Sequence, residues 1–261
     1  MGSVKRWVMC LNEDTPLFDV YTKLIKVAVS SCLQNTDLAP SFIYDGKPNE
    51  LTRWLNKRNV EIIQHRSLFF DRISNANFDK IKLSIAKGAF LRVDIPIIAE
   101  TEGWTDKFIF YTDCDVIFIN HWKEEFSEIN CKYFSVAPEF DIKNFNDFNT
   151  GAMLMNIRNL FEIKEEFESF ITSNLNICLK QAFDQTAYQL FFKKVFDKLE
   201  PVYNWKTYWG RNKNAKLIHF HGIKPHHRNA LAEGNLKEPF KSLLHDDFHY
   251  YSNLWDSYLE K

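Results

Sequence analysis

Two aspartates set inside an apolar run are the feature of this sequence with the plainest chemical consequence. In Phe108-Ile109-Phe110-Tyr111-Thr112-Asp113-Cys114-Asp115-Val116-Ile117-Phe118-Ile119 the acids lie between two stretches that read as buried strands. A strand continued straight through them would bury two like charges without compensation, which is costly. They must sit at a strand end beside a cation. Carboxylates at i and i+2 with a bend between them can share one site, and hard oxygen ligands of this kind suit Mn²⁺ or Mg²⁺. An isolated Asp-x-Asp is common, and ordinary surface acids account for it equally well.

A second constellation lies a hundred residues further on. In Ile218-His219-Phe220-His221-Gly222-Ile223-Lys224-Pro225-His226-His227 an imidazole ends an apolar strand and a glycine permits close backbone approach. His219 could complete a metal shell begun by Asp113 and Asp115. Gly222 and Lys224 could cradle a diphosphate, which carries more negative charge than one divalent ion cancels. The alternative is a surface histidine cluster in a loop.

Four landmarks in order carry a resemblance to a known family. They are Tyr111-Thr112-Asp113-Cys114-Asp115-Val116, Phe148-Asn149-Thr150-Gly151-Ala152-Met153-Leu154-Met155-Asn156, Asp184-Gln185, and His219-Phe220-His221-Gly222-Ile223-Lys224-Pro225. The chain resembles the family 8 glycosyltransferases, the glycogenin and lipooligosaccharide galactosyltransferase group, over about residues 108–226. The resemblance implies an α/β GT-A fold, with a Rossmann-like, mixed and mostly parallel sheet flanked by helices. It implies a divalent metal, Mn²⁺ or Mg²⁺, and a UDP-sugar donor. A hexose-type sugar would move, with retention, to a glycan, lipid-linked or protein acceptor.

Carried over position by position, the resemblance implies that Asp113, Asp115 and His219 bind the metal, with Asp113 also near the donor ribose or sugar. Gly222 and Lys224 would hold the diphosphate, and Arg92 would lie near the donor phosphate and sugar. Asn149 and Asp184 would bond donor hydroxyls, Gln185 would sit beneath the anomeric carbon, and Leu11 and Asn12 would contact the base. Without the family, Asn149-Thr150-Gly151 is a turn signal, Asp184 a helix N-cap and Arg92 a surface ion-pairing residue. Three departures bear on the diphosphate geometry and the acceptor-side wall. One residue separates Gly222 from Lys224 where the family has two, and His226 follows Pro225 where an aromatic is usual. The stretch from Arg92 to Asp113 is also long, and that from Asp115 to Asn149 short.

In the chemistry this implies, a metal acting as Lewis acid and Lys224 would stabilise the departing nucleotide diphosphate. Gln185 and Asp184 would face an oxocarbenium-like carbon. No isolated nucleophile stands out, which favours front-face substitution over a covalent intermediate on Asp184.

The elements that must position these residues alternate between short β-rich runs and amphipathic helices, the pattern of a largely parallel sheet covered by helices. Strands are predicted at 7–11, 41–44, 60–64, 133–137, 152–157 and 216–220, besides the two flanking the acids. Helices are predicted at 17–34, 51–56, 78–92, 160–177 and 185–196. Lys80, Lys82 and Lys87 read as a solvated face. One domain is expected over 1–261, with a nucleotide-binding half at about 5–65, a metal, donor-sugar and acceptor half at about 108–226, and a helical tail at 230–261.

Composition narrows the partners. With 33 basic and 34 acidic residues the net charge is −1, which gives no reason to invoke nucleic acid. Five scattered cysteines form neither a C-x-x-C pair nor a disulfide framework and point to a reducing compartment. No stretch approaches the ~20 apolar residues of a membrane span, and the N-terminus lacks a secretory signal pattern, so the expectation is cytoplasmic. The aromatic tail, with Phe240, Phe248, Tyr250, Tyr251, Trp255 and Tyr258, could touch the inner face of a membrane, though packing on the body is the simpler expectation. Two other classes compete: a haloacid dehalogenase-type phosphatase or phosphotransferase using Asp113-x-Asp115, and a non-catalytic nucleotide-sugar-binding module.

Overall fold

The computed structural model describes residues 4–122 and 130–259. A seven-stranded sheet runs through the molecule in the order β3-β2-β1-β4-β7-β6-β8, and a three-stranded sheet, β5-β10-β9, stands beside it. The first half builds β1 (Arg6–Asn12), α1 (Phe18–Asn35), β2 (Ala39–Asp45), α2 (Glu50–Asn56) and β3 (Glu61–Gln64). Then come α3 (Phe70–Ser74), α4 (Lys80–Phe90), α5 (Ile95–Thr101), β4 (Phe108–Thr112) and β5 (Val116–Phe118). The second half holds β6 (Phe134–Pro138), β7 (Phe148–Asn156), α6 (Ile157–Glu162), α7 (Lys164–Lys180) and α8 (Phe183–Phe192). It ends with β8 (Asp197–Lys198), β9 (Trp205–Lys206), β10 (Leu217–His219), α9 (Arg228–Ala232) and α10 (Phe248–Leu259).

Strand β1 is buried from Trp7 to Asn12 and pairs in parallel with both β2 and β4, and a parallel strand of this kind is covered on both faces. Helix α1 turns Leu24, Ile25, Ala28, Val29 and Cys32 inward, the stripe its apolar spacing predicts. Capping follows local chemistry: Asn49 closes a capping box on α2, and Asp79 accepts from Ile81 and Lys82 at the start of α4. Parallel pairing gives way to antiparallel at β4-β7 and β7-β6. The whole is a mixed, mostly parallel sheet flanked by helices, as expected.

Several expectations need correction. The helix read over 160–177 is two helices, α6 and α7, broken at Ile163. Lys87 does not belong to a solvated face, because its Nζ bonds Asp14 Oδ2 at 2.8 Å and lies over the Phe70 ring. The tail is no continuous helix: α9 is short, turns follow, and α10 packs on α1. Phe248, Tyr251, Trp255 and Tyr258 are buried against the body, which removes most of the apolar face a membrane would take. Residues 260 and 261 of the expected tail lie outside the described residues. Among the described residues no helix is long and apolar enough to cross a membrane.

Candidate functional site

The site forms where β4 ends and the small sheet begins. At Thr112 the chain leaves β4, and the Asp113 N–H still bonds the Gly151 carbonyl at 2.9 Å. It re-enters a strand at Val116, in the other sheet, so the bend between the two acids is a transfer of the chain from one sheet to the next. Antiparallel pairing of β10 with β5 sets His219 opposite Val116, one residue from Asp115. His219 Nε2 lies 3.3 Å from Asp115 Oδ1 and 3.9 Å from Asp113 Oδ2. One ligand atom from each of the three falls within 4.8 Å of the others.

His219 is turned for ligation. Its Nδ1 is 2.9 Å from Asn204 Oδ1, an oxygen that can only accept. Nδ1 therefore carries a proton, which leaves Nε2 as the ring atom that faces the two carboxylates and could ligate an ion. That donor set fits a divalent ion with mixed oxygen and nitrogen ligands. Space is kept for it by Gly151, where a Cβ would lie 2.2 Å from His219 Cε1 and 2.8 Å from Asp113 Oδ2. The Thr150-Gly151 segment comes inward at a register shift between β6 and β7, where Val136 pairs with Met153 but Ala137 with Asn149.

Lys224 Nζ lies 2.6 Å from Asp115 Oδ2 and also bonds the Phe220 carbonyl at 3.1 Å. Burial alone would raise the Asp115 pKa, but the Lys224 ammonium and His219 outweigh it and hold the carboxyl far below its usual range. Gly222 has φ 84°, the left-handed region that favours glycine, and Leu243 covers it.

Arg92 is 3% exposed, which rules out the surface reading. Its Nε bonds Asp184 Oδ2 at 2.6 Å, NH2 bonds the same oxygen, and NH1 reaches the Thr150 carbonyl and Asp113 Oδ1, the last at 3.4 Å. Burial pushes the Asp184 carboxyl up, to about 6, against the pull of Arg92. Asp184 is not a helix cap, since the N-cap of α8 is Ala182. Between them Phe183 has φ 53°, costly for a bulky side chain, and the turn delivers Asp184 and Gln185 to the cleft in the first turn of α8.

These groups line one cleft of about 420 Å³, together with Leu11, Asn12, Asn149, Gly222, Lys224 and Glu139. All eleven residues singled out in the sequence meet there. Asn12 anchors its end of the cleft by donating to Asp45 Oδ2 at 2.8 Å. Gln185 is held on every side: Oε1 accepts from Thr150 N at 3.0 Å, Asn149 Nδ2 at 3.2 Å and Thr150 Oγ1 at 3.3 Å, and Nε2 donates to Glu139 Oε2 at 2.6 Å. Its oxygen is turned into the protein.

Sequence reasoning missed the opposite wall. Three successive carbonyls, of Pro138, Glu139 and Phe140, accept from Lys206 Nζ (2.7 Å), Tyr208 Oη (2.7 Å) and Trp209 Nε1 (2.6 Å). Glu139 Oε1 lies 3.2 Å from His221 Nε2, and His221 Nδ1 is 3.0 Å from Tyr208 Oη. Burial lowers the His221 pKa. Phe140 stands 50% exposed at the rim, its ring stacked on Tyr208. A larger depression of about 1350 Å³ lies between α5 and α6; part of its rim is Asn130, next to the undescribed 123–129, and it holds none of the residues above.

No family model matches the sequence. No curated protein matches it either. Solved structures do, at low identity. The chain is similar to the apo form of glycosyltransferase GlyE from Streptococcus pneumoniae TIGR4 (15% identity, TM-score 0.61, 96% of this chain, 64% of that one). It is likewise similar to the galactosyltransferase LgtC in complex with donor and acceptor sugar analogs (15%, 0.62, 94% and 99%). Mouse xyloside xylosyltransferase 1 in its apo form gives 16%, 0.58, 83% and 97%. The chain thus spans less than two thirds of GlyE but nearly all of LgtC. What these likenesses share with the chain is the GT-A fold.

Proposed function

We propose that the protein is a divalent-metal-dependent glycosyltransferase that moves a hexose-type sugar from a UDP-sugar to an acceptor hydroxyl, with retention. The observation that carries this reading is the convergence of ligand atoms of Asp113, Asp115 and His219 within 4.8 Å, in the lining of a cleft that also holds Lys224. The GT-A fold of the solved relatives supports it.

An ion held by Asp113, Asp115 and His219 would supply Lewis-acid neutralisation of the departing diphosphate. With Asp115 engaged by such an ion, Lys224 would be the group to offer its ammonium to the diphosphate oxygens. Arg92 keeps Asp184 fixed beside the donor sugar, where the carboxylate takes hydroxyl hydrogen bonds. Asn149 and the remaining N–H of Gln185 line the same side. Leu11 and Asn12 border the end left for the base. Acceptor binding falls to the wall of Glu139, Phe140 and His221, which offers a carboxylate, an imidazole and an aromatic face to a hydroxyl-bearing ring. With Gln185 oxygen facing inward, front-face substitution assisted by the departing phosphate remains the favoured course.

The phosphatase reading calls for a second acidic pair beside the first, and Asp246-Asp247, the adjacent acids later in the chain, are not among the residues that line the cleft. A non-catalytic binder would keep the same pocket and is separated by turnover. The test is a thermal-shift panel of nucleotide sugars with and without Mn²⁺, followed by donor hydrolysis. At 100 times its dissociation constant a ligand stabilises by about 2.7 kcal/mol. A UDP-sugar should raise Tm only with Mn²⁺ and be slowly hydrolysed. Absence of any Mn²⁺-dependent shift across the panel would refute the reading, and a shift without hydrolysis or transfer would leave a binder.

A further inference from the structure

The two sides of the cleft are joined by a chain of side-chain amides whose orientations are all determined. It starts at Glu139, whose carboxylate can only accept while ionised, so the group of Gln185 that meets it at 2.6 Å is Nε2. Gln185 Oε1 then faces Asn149 Nδ2 at 3.2 Å, and the backbone N–H of Thr150, which can only donate, fixes that choice independently at 3.0 Å. Asn149 Oδ1 faces Asn204 Nδ2 at 3.0 Å, again confirmed by a backbone donor, Gly151 N–H at 3.1 Å. Asn204 is left with Oδ1 toward His219 Nδ1 at 2.9 Å. Every donor along the line points toward Glu139, and reversing one amide would set two donors or two acceptors face to face.

Asn204 is the joint of this line. It is fully buried, at 0% exposure, in the short 3₁₀ turn Pro201–Asn204 before β9, and it is not itself among the residues that line the cleft. Its Oδ1 serves the metal ligand and its Nδ2 serves the donor-side amides. We infer that Asn204 is a positioning residue with two separable duties: its oxygen fixes the Nδ1–H tautomer of His219, and its amide nitrogen orients Asn149 and, through it, Gln185.

The inference builds on the proposed metal site, yet its first test needs no metal. In protein labelled with ¹⁵N histidine, at a pH where the ring is neutral, His219 should show the Nδ1–H tautomer. Asn204→Asp keeps an acceptor for Nδ1–H and loses the donor to Asn149. Asn204→Leu loses both. Tautomer control should survive in Asn204→Asp and give way to a mixture in Asn204→Leu. Mn²⁺ affinity, read by electron paramagnetic resonance in the presence of UDP, should fall about 10- to 100-fold in Asn204→Leu, the scale for lost outer-shell partners of ligating histidines. In Asn204→Asp it should stay within about threefold of wild type, while kcat for donor hydrolysis drops about tenfold or more with the donor KM little changed.

Asn204→Asp exists partly because Asn204→Leu risks misfolding, and Asn204→Ser adds a smaller hydroxyl acceptor as a further check. An Nε2–H tautomer in the wild type would overturn the inference. So would equal Mn²⁺ affinity in wild type and folded Asn204→Leu, or parallel losses of metal affinity and kcat in Asn204→Asp. A wild type that shows the Nδ1–H tautomer but binds no Mn²⁺ with any nucleotide sugar would sink the glycosyltransferase reading and leave the amide chain standing.

Discussion

The proposed function gives the cleft a donor side and an acceptor-side wall, and the two are held by different kinds of bond. On the donor side, charges meet charges: Arg92 with Asp184 and Asp113, Lys224 with Asp115. On the wall, neutral backbone carbonyls of Pro138, Glu139 and Phe140 are gripped by side chains from 206 to 209. Removing one member of a buried ion pair leaves a bare charge, whereas removing one donor to a carbonyl costs a single hydrogen bond. The donor side should be brittle to substitution and the wall tolerant of it.

The sharpest way to break that comparison is Arg92→Met. Stranding Asp184 should cost about 3–5 kcal/mol, measured by urea unfolding. Arg92→Met/Asp184→Asn should recover much of the loss, since the buried carboxylate at 184 is then gone. A loss below about 1 kcal/mol, the scale of one neutral bond, would erase the distinction.

Lys224→Met comes next. Freed of Lys224, Asp115 would still have the ion, so stability with Mn²⁺ should hold, but UDP affinity should fall about tenfold, the worth of a charge-assisted bond. Uridine affinity should not change. Isothermal titration with both ligands separates a diphosphate role from a general loss of the pocket.

The smallest effect concerns the one cation of the wall that is wholly buried. Burial holds the Lys206 pKa well below its ordinary value near 10.5. The unfolded chain therefore binds more protons than the native one between the lowered value and 10.5, and stability rises with pH through that window. Relative to Lys206→Met, the wild type should gain Tm as pH rises from neutral toward 10. A flat difference would mean that Lys206 is charged and paired in the fold.

The same contrast explains what could be read from the chain. Donor-side groups fall in contiguous stretches, where Asp113 and Asp115 interrupt an apolar run and His219 ends one. Their chemistry shows against the periodicity around them. β1, α1, β2 and α2 were legible within a residue or two for the same reason: runs and stripes of apolar residues stand out against their neighbours. Asn204 sits in a four-residue 3₁₀ turn, Tyr208 in a three-residue one, and β8 and β9 have two residues each. Segments so short have no period to detect. Glu139 and His221 are ordinary polar residues until the fold brings β6 and β10 together. The break at Ile163 was hidden because both helices share one apolar spacing.

Asn35, near the end of α1, extends its amide to the carbonyl of Phe118 in β5 at 2.9 Å and to the hydroxyl of Tyr258 in α10 at 2.8 Å. One side chain thus bolts together the strand that leads away from Asp115 and the last described helix. Although α10 gives no group to the cleft lining, fraying of that helix would slacken β5 and, with it, the spacing between the two carboxylates. A fluorescence change at Trp255, buried on that helix, would register the loosening at a distance.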